Sequence, residues 1–582
     1  MCGVAGFLNR GQAADKTILD AMLGSIKHRG PDDRGTWLHG PLGLGHVRLS
    51  ILDLSERGHQ PYVTEDRQGI IIYNGEVYNF LELRKQLENA GFRFRSHSDT
   101  EVVLYALHHW NPEQAVKQFN GMFAFAYYDL RDKTLWLGRD RFGIKPLHIA
   151  RTNNGIVFGS EIKALLAHPD VQTRPDMHAV ITQIIYERLD GSWTFFENIE
   201  SILPGTLLKI NEKGDEQDIT YFDVLRDVQP QRILDSKDTD FTTSFQQFEK
   251  HFDASIQKHL ISDAPLATLC SGGLDSSLVT AIAKDHKQDI VAYVADIEGM
   301  HGEEVRRAKS VCKHLDITLR QVPVTLDTYY RLWPQAILAN DEPSYFAQNT
   351  AAMAVAEAMQ HDGFKAVLTG HGADELFGGY TWFEDVYKMW RKRRLHAKWI
   401  RDNAFFRLLG KLNPLLSPLD IESLARRPFT HLHQHDASGM MGPAICAVDG
   451  AKRHIRSAAL FRLLEILPEY EERAFLARSY EDIYTHLAEA LNTNDRMAMW
   501  CSIEARFPFL DNTLIDFGLH LPLHTKYLRG ERKRLITALA QRGSAVTEDR
   551  LLGAQFSMAG YGGISAQWQD RAPAQMARTR SG

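Results

Sequence analysis

PLATLCSGGLDSSLVTAIAKD (residues 265–285) decides the architecture of the larger half of this chain. A strand-like apolar run, Pro265–Leu269, breaks at Gly272 and Gly273, and an apolar-periodic run resumes at Leu274. That order predicts a strand, a tight loop and a helix. Two glycines let backbone approach a phosphate, Ser271 and Ser276 supply hydroxyl donors, and the helix start adds its dipole. The lysine of a GxxxxGK[ST] loop is missing, so the stretch is not a P-loop.

Working outward, the same alternation repeats. DIVAYVADI (289–297) precedes EEVRRAKSVCKHL (303–315), and KAVLTG (365–370) precedes ADELFGGY (373–380). Strand followed by helix, repeated, predicts a parallel sheet with helices on both faces. Upstream the texture changes. GIIIYNGEVYNF (69–80), MFAFAYYDL (122–130) and TLWLGRD (134–140) read as strands, and LELRKQLENAG (81–91) and TEVVLYALHHW (100–110) as helices. The first part is therefore expected to be a sheet-rich α+β layer structure, closed by a hairpin at 203–217. A polar, turn-rich stretch at 227–244 is expected to link the halves. The resulting domains are 1–210, a hairpin and linker at 211–244, a second domain at 245–560, and a disordered tail at 561–582. The basic stretch 391–412 reads as a solvated helix face over a buried stripe. HLHQHD (431–436) reads as a polar surface loop, with a metal site as its alternative.

At 582 residues the chain exceeds what one core supports. Its 44% hydrophobic and 24% charged residues are ordinary for a globular protein, and a net charge of −6 gives no field for nucleic acid. No apolar run reaches membrane-spanning length, and no secretory signal is read. Five cysteines, few and unpatterned, fit a reducing cytoplasm.

The other informative stretch is MCGVAGFL (1–8). With Met1 removed, Cys2 carries a thiol of pKa about 8.5 beside an α-amine of about 8, so nucleophile and base share one residue. Thiolate attack on an amide would need an oxyanion hole and a clamp for the substrate's charged end. Asn74 and Gly75, at a strand end, offer an amide donor and an unhindered N–H. Arg48 can clamp a carboxylate, and Asp99 can hold an ammonium.

MCGVAG, KHRGPDD (27–33), RLSI, YNGEVYN, SDTE and GRDRFGIKPL together resemble the class II glutamine amidotransferase domain. The resemblance implies a two-domain chain whose first domain is an αββα N-terminal-nucleophile glutaminase. It implies Cys2 as nucleophile, Asn74 and Gly75 as oxyanion hole, Arg48 and Asp99 as binders of the glutamine ends, and Glu76 as a further contact. SGGLDSS, NDEPS, TGHGADELFGGY, DRMAMWCSIEARFPFLD and GERKRL resemble the synthetase domain of the asparagine synthetase family, an N-type ATP pyrophosphatase with helical additions. This implies ATP as substrate, a pocket using Leu269, Ser271, Gly272, Gly273, Ser276, Thr369 and Gly370, and Mg²⁺ on Asp275 and Asp374. It also implies Lys533 stabilising developing charge, and ammonia crossing an internal channel to an acyl-adenylate.

Two positions depart from the family's pattern. His371 stands where the family commonly has an acidic residue, and is expected to serve as base for the attacking ammonia, to contact phosphate, or to be a loop histidine satisfied by its neighbours. After Arg550 the stretch DRLLGAQFSMAGYGG (549–563) lacks the family's lysine. Aspartate is the default acceptor, and a different carboxylic acid is the alternative. A β-lactam-synthetase-like cyclase, a phosphoribosyl amidotransferase and a silent paralogue are weaker readings. The expected partners are glutamine, ATP and the acid, with no nucleic acid or membrane; a homodimer is left open.

Overall fold

The computed structural model describes residues 2–388, 391 and 456–542, apart from 187–188, 190, 300–301, 344–346, 386 and 457. The stretches 392–412, 431–436, 549–563 and the tail singled out above lie outside the described residues. No described helix is long and apolar enough to cross a membrane.

The N-terminal part is two facing six-stranded sheets. Strands β1 (Gly3–Asn9), β2 (Asp33–His39), β3 (Leu42–Arg48), β8 (His148–Thr152), β9 (Gly155–Gly159) and β10 (Ile199–Ser201) form the first, in the order β10-β8-β9-β1-β3-β2. Strands β4 (Tyr62–Val63), β5 (Gly69–Val77), β6 (Gly121–Asp129), β7 (Thr134–Arg139), β11 (Thr206–Ile210) and β12 (Glu216–Thr220) form the second, in the order β12-β11-β7-β6-β5-β4. The period of two along β5 sorts its side chains. Ile70 and Ile72 join Val4, Leu42 and Leu44 between the sheets, whereas Ile71 and Tyr73 face a core shared with the helices outside. Helix Lys16–Ser25 covers the first sheet through Leu19, Met22 and Leu23. Helices Phe80–Asn89 and Asp99–Trp110 lie outside the second, completing four layers. The hairpin expected at 203–217 forms β11 and β12, and β11 pairs with β7.

The stretch 227–244 is not an extended linker. It holds the short helix Pro230–Asp235, with Ile233 fully buried, and starts the long helix Phe241–His259. Pro230 occupies the first helical position, where its missing N–H costs nothing. The apolar side chains of this stretch are few, but Val228 and Ile233 are buried and Leu234 and Phe241 pack against the same core.

The C-terminal part is an all-parallel sheet of β13 (Leu266–Leu269), β14 (Val291–Ile297), β15 (Thr318–Val324), β16 (Ala366–Leu368) and β17 (Glu504–Arg506), in the order β15-β14-β13-β16-β17. The chain runs outward from β13 to β15 on one side and then from β16 to β17 on the other. The order therefore reverses between β13 and β16, and the crevice beyond their carboxyl ends is where open α/β sheets bind ligands. The loop of Ser271–Ser276 leaves β13, and Thr369–Gly370–His371 leaves β16, so both border that crevice.

Candidate functional site

Cys2 heads β1 in the first sheet, and Asn74 lies on β5 in the second, on the face that carries Ile70 and Ile72. Both therefore point into the space between the sheets. The Cys2 N–H donates to Asn74 Oδ1 at 3.0 Å, and the thiol lies 4.0 Å from the Leu49 carbonyl. Asn74 is fully buried, yet its Nδ2 has no hydrogen-bond partner. A buried amide donor left open beside a thiol is what an oxyanion hole requires. Burial pushes the thiol pKa up, opposed by the charge of the chain's N-terminus and by Arg48. At Gly75 a Cβ would lie 2.3 Å from the Met122 carbonyl, so the β5–β6 pairing admits only glycine there.

Arg48 is held by the carbonyls of Ser55 (2.8 Å), Asp53 (2.5 Å) and Leu52 (3.4 Å). These carbonyls fix the head of the guanidinium while leaving its Nε–H without a contact to them. Asp99 opens its helix, and its Oδ2 accepts from Tyr73 Oη at 2.8 Å and the Val77 N–H at 3.0 Å. Burial nevertheless raises its pKa to about 6.

Glu76 faces the other domain. Its Oε1 lies 3.4 Å from Arg506 Nη2, while Arg506 Nε donates to Glu504 at 2.6 Å. Burial and the neighbouring Glu504 and Asp99 hold the Glu76 carboxyl well above its ordinary range. Glu504 keeps its charge because Arg506, the N-terminus and Lys145 outweigh its burial.

In the crevice, Lys533 Nζ sits between two carboxylates, 2.5 Å from Asp275 Oδ2 and 2.7 Å from Asp374 Oδ1. Burial opposes its charge, but these two partners raise its pKa overall. Burial, with Asp374 adding to it, lifts Asp275 to about 6 against the pull of Lys533. The Ser271 and Ser276 hydroxyls pair at 3.1 Å. Gly272 has φ +72°, and a Cβ there would lie 2.5 Å from the Ala308 N, so only glycine lets the loop lie on helix Glu303–His314. Leu269 ends β13, and Gly370 lies against Asp275 and Ser276. His371, half-buried, lies between Thr369 Oγ1 at 3.1 Å and Asn494 Nδ2 at 3.2 Å. The lone pair on which a base role would depend is already accepting a hydrogen bond.

Among the described residues no group of three or more His, Cys, Asp and Glu could hold a metal ion. Asp275 and Asp374 still suit a hard divalent cation, since Asp275 Oδ1 is buried without a hydrogen-bond partner. Two carboxylates plus phosphate oxygens is the arrangement Mg²⁺ favours.

The sequence reading missed the residues that join the halves. Arg29, fully buried, donates through Nε to the Cys2 carbonyl at 3.1 Å, and through Nη2 to Asp495 at 2.8 Å. Lys145 reaches the other Asp495 oxygen at 3.3 Å. Arg29 and Lys145 fall inside the quoted KHRGPDD and GRDRFGIKPL, but their shared partner lies hundreds of residues downstream. Because Asp495 neutralises two buried cations, Asp495→Leu is expected to destabilise the protein by about 3–5 kcal/mol. A denaturant midpoint equal to that of the wild type would refute this.

The geometry brings Cys2 and Asn74 together between the two N-terminal sheets and sets Asp275, Asp374 and Lys533 in the crevice of the parallel sheet. Residues 1–222 match the glutamine amidotransferase domain family, and residues 247–547 match the asparagine synthase family. The chain belongs to the asparagine synthase family and is a glutamine-dependent amidotransferase of that type. It is 28% identical to asparagine synthetase [glutamine-hydrolyzing] 3 of Bacillus subtilis, over 92% of this chain and 83% of that one. It is 29% identical to asparagine synthetase [glutamine-hydrolyzing] 1 of the same organism, over 93% and 84%. A Gibberella zeae protein named amidase chry2 is 30% identical, over 66% of this chain and 60% of that one.

Proposed function

We propose that Cys2 hydrolyses glutamine and that the released ammonia amidates a carboxylic acid activated by ATP in the crevice, with aspartate the default acceptor. The observation that carries this reading is the open Asn74 Nδ2 beside the Cys2 thiol, in a chain that also holds the Asp275–Lys533–Asp374 cluster.

The sulfur attacks the glutamine amide carbon, and the oxyanion receives hydrogen bonds from Asn74 Nδ2 and the Gly75 N–H. The α-amine of Cys2, free once Met1 is removed, takes the thiol proton and returns it to the departing ammonia. Water then clears the thioester and glutamate leaves. Arg48 clamps the substrate carboxylate and Asp99 its ammonium. Asp99 must be ionised for this, so the KM for glutamine is expected to rise as pH falls through about 6. A KM that stays flat between pH 5 and 7 would remove Asp99 from this role.

In the crevice the acceptor carboxylate attacks the α-phosphorus of ATP and pyrophosphate leaves. The loop of Ser271, Gly272, Gly273 and Ser276 cradles the leaving phosphates, Leu269 and Thr369–Gly370 flank the nucleotide, and Lys533 neutralises the charge that develops. Asp275 and Asp374 would hold Mg²⁺, which supplies further charge neutralisation on the phosphate oxygens when bound. Ammonia reaching the acyl carbon through the buried interior between the domains displaces AMP. The test is acceptor-dependent pyrophosphate release with glutamine, ATP, Mg²⁺ and a panel of carboxylic acids. Release of orthophosphate instead would overturn adenylation. His371, in place of the acidic residue common in the family, favours a second reading: the same chemistry on another acid. Silence with aspartate and a response to a different acid would select it.

A further inference from the structure

Asn494 lies on helix Ala488–Trp500, one residue before the Asp495 that binds Arg29 and Lys145. Its Nδ2 donates to the Ala490 carbonyl at 2.7 Å and faces His371 Nε2 at 3.2 Å. The first contact fixes the amide's orientation, because the flipped amide would press its oxygen against that carbonyl. The second Nδ2 hydrogen therefore meets His371 Nε2, which must be an acceptor. A neutral imidazole that accepts at Nε2 carries its proton on Nδ1, and that proton goes to Thr369 Oγ1 at 3.1 Å. Thr369 is buried, and among the described residues its hydroxyl makes no other side-chain hydrogen bond. Because its oxygen accepts from His371, its own proton is left for something outside this chain of bonds.

We propose that Asn494 is a positioning residue of the synthetase site: by fixing the His371 tautomer it makes the Thr369 hydroxyl a donor toward an anionic oxygen of the bound acyl-adenylate. This deepens the functional reading above and rests on its placing of Thr369–Gly370 at the nucleotide. It also gives His371 the work of orienting Thr369, for which the neutral ring suffices. Without Asn494 the ring can take the other tautomer, accept from Thr369, and turn that proton away from the pocket.

Two measurements test this on the full-length chain. In protein labelled with ¹⁵N-histidine, with His371 assigned by comparison with His371→Gln, the wild-type ring is expected to be neutral with its proton on Nδ1, and Asn494→Leu to populate the Nε2–H form. A wild-type ring protonated at Nε2, or at both nitrogens at pH 7.5, overturns the proposal. The second is a double-mutant cycle on pyrophosphate release with ATP, Mg²⁺, ammonia and aspartate as probe acceptor. Thr369→Val and Asn494→Leu are each expected to lose about tenfold or more, the worth of a hydrogen bond to a charged group. The double variant should lose no more than Thr369→Val alone, and Thr369→Ser should retain activity. Losses that multiply, or an Asn494→Leu enzyme equal to the wild type, overturn the proposal. Glutamine hydrolysis by the same variants reports that they are folded. If the wild type releases no pyrophosphate with aspartate, that acceptor assignment falls, while the ¹⁵N spectra still decide the role of Asn494.

Discussion

Cys2→Ala is expected to lower glutamine-dependent product formation by at least about a thousandfold, the scale on which removing a covalent nucleophile acts. Amidation driven by added ammonia should continue at the wild-type rate. The asymmetry follows from the geometry. The Cys2 thiol lies in the site between the two N-terminal sheets, 4.0 Å from the Leu49 carbonyl. The crevice between β13 and β16 receives nothing from it. Glutamate and amidated product, measured in parallel with each nitrogen donor, check the claim. Persisting glutamine-dependent synthesis would mean that another group cleaves the amide. Loss of both activities would mean that the substitution had disturbed Arg29, whose Nε is bound to the Cys2 carbonyl rather than to the side chain.

Reading the chain alone worked where chemistry and local pattern coincide. Alternation along GIIIYNGEV placed β5 and its two faces, and the strand-loop-helix repeats placed β13, β14 and β16 with the helices that follow. Asp275 and Asp374 each lie in the first turn of the helix that follows a predicted strand, which is why their neighbourhood could be anticipated. Asn74 and Gly75, expected at a strand end, lie instead inside β5, where they pair with Ala124 and Phe123 of β6. The partners of Arg29, Glu76 and His371 could not be anticipated. Asp495, Arg506 and Asn494 lie 466, 430 and 123 residues away in sequence. The first two meet Arg29 and Glu76 only because a helix and an edge strand of one domain dock on the other, and Asn494 meets His371 only through the packing of the second domain itself. No periodicity encodes such a meeting. A buried ion pair needs both members, so the signal was half present: an arginine inside KHRGPDD and a glutamate inside YNGEVYN, with nothing local to mark the distant partner. The polar stretch at 227–244 hid its docking contacts for the converse reason, since a few apolar side chains, Val228 and Ile233 among them, are enough to seat it.

Lys533→Met is expected to lower pyrophosphate release by about 10²–10³-fold, the usual cost of removing one preorganised stabiliser of developing charge. Glutamine hydrolysis at Cys2 should be retained. In the wild type one ammonium is shared by Asp275 and Asp374, and without it two carboxylates face each other with only water or a cation between them. Removing the pull of Lys533 must raise the Asp275 pKa beyond about 6, since burial and Asp374 both push it upward. Residual activity should therefore lose its acid side at a higher pH than in the wild type, and more Mg²⁺ should be needed to restore it. Lys533→Arg is not expected to rescue, because the cleft is shaped around a single point charge. Even a methyl group placed on Gly379 would come within 2 Å of both the Lys533 side chain and an Asp374 oxygen, so a planar fork has no room to turn. The measurement is pyrophosphate release against pH and Mg²⁺ for the wild type, Lys533→Met and Lys533→Arg, with ammonia as nitrogen donor. If Lys533→Met keeps its rate and its acid limb, the ammonium between the two carboxylates holds the fold together and takes no part in the chemistry.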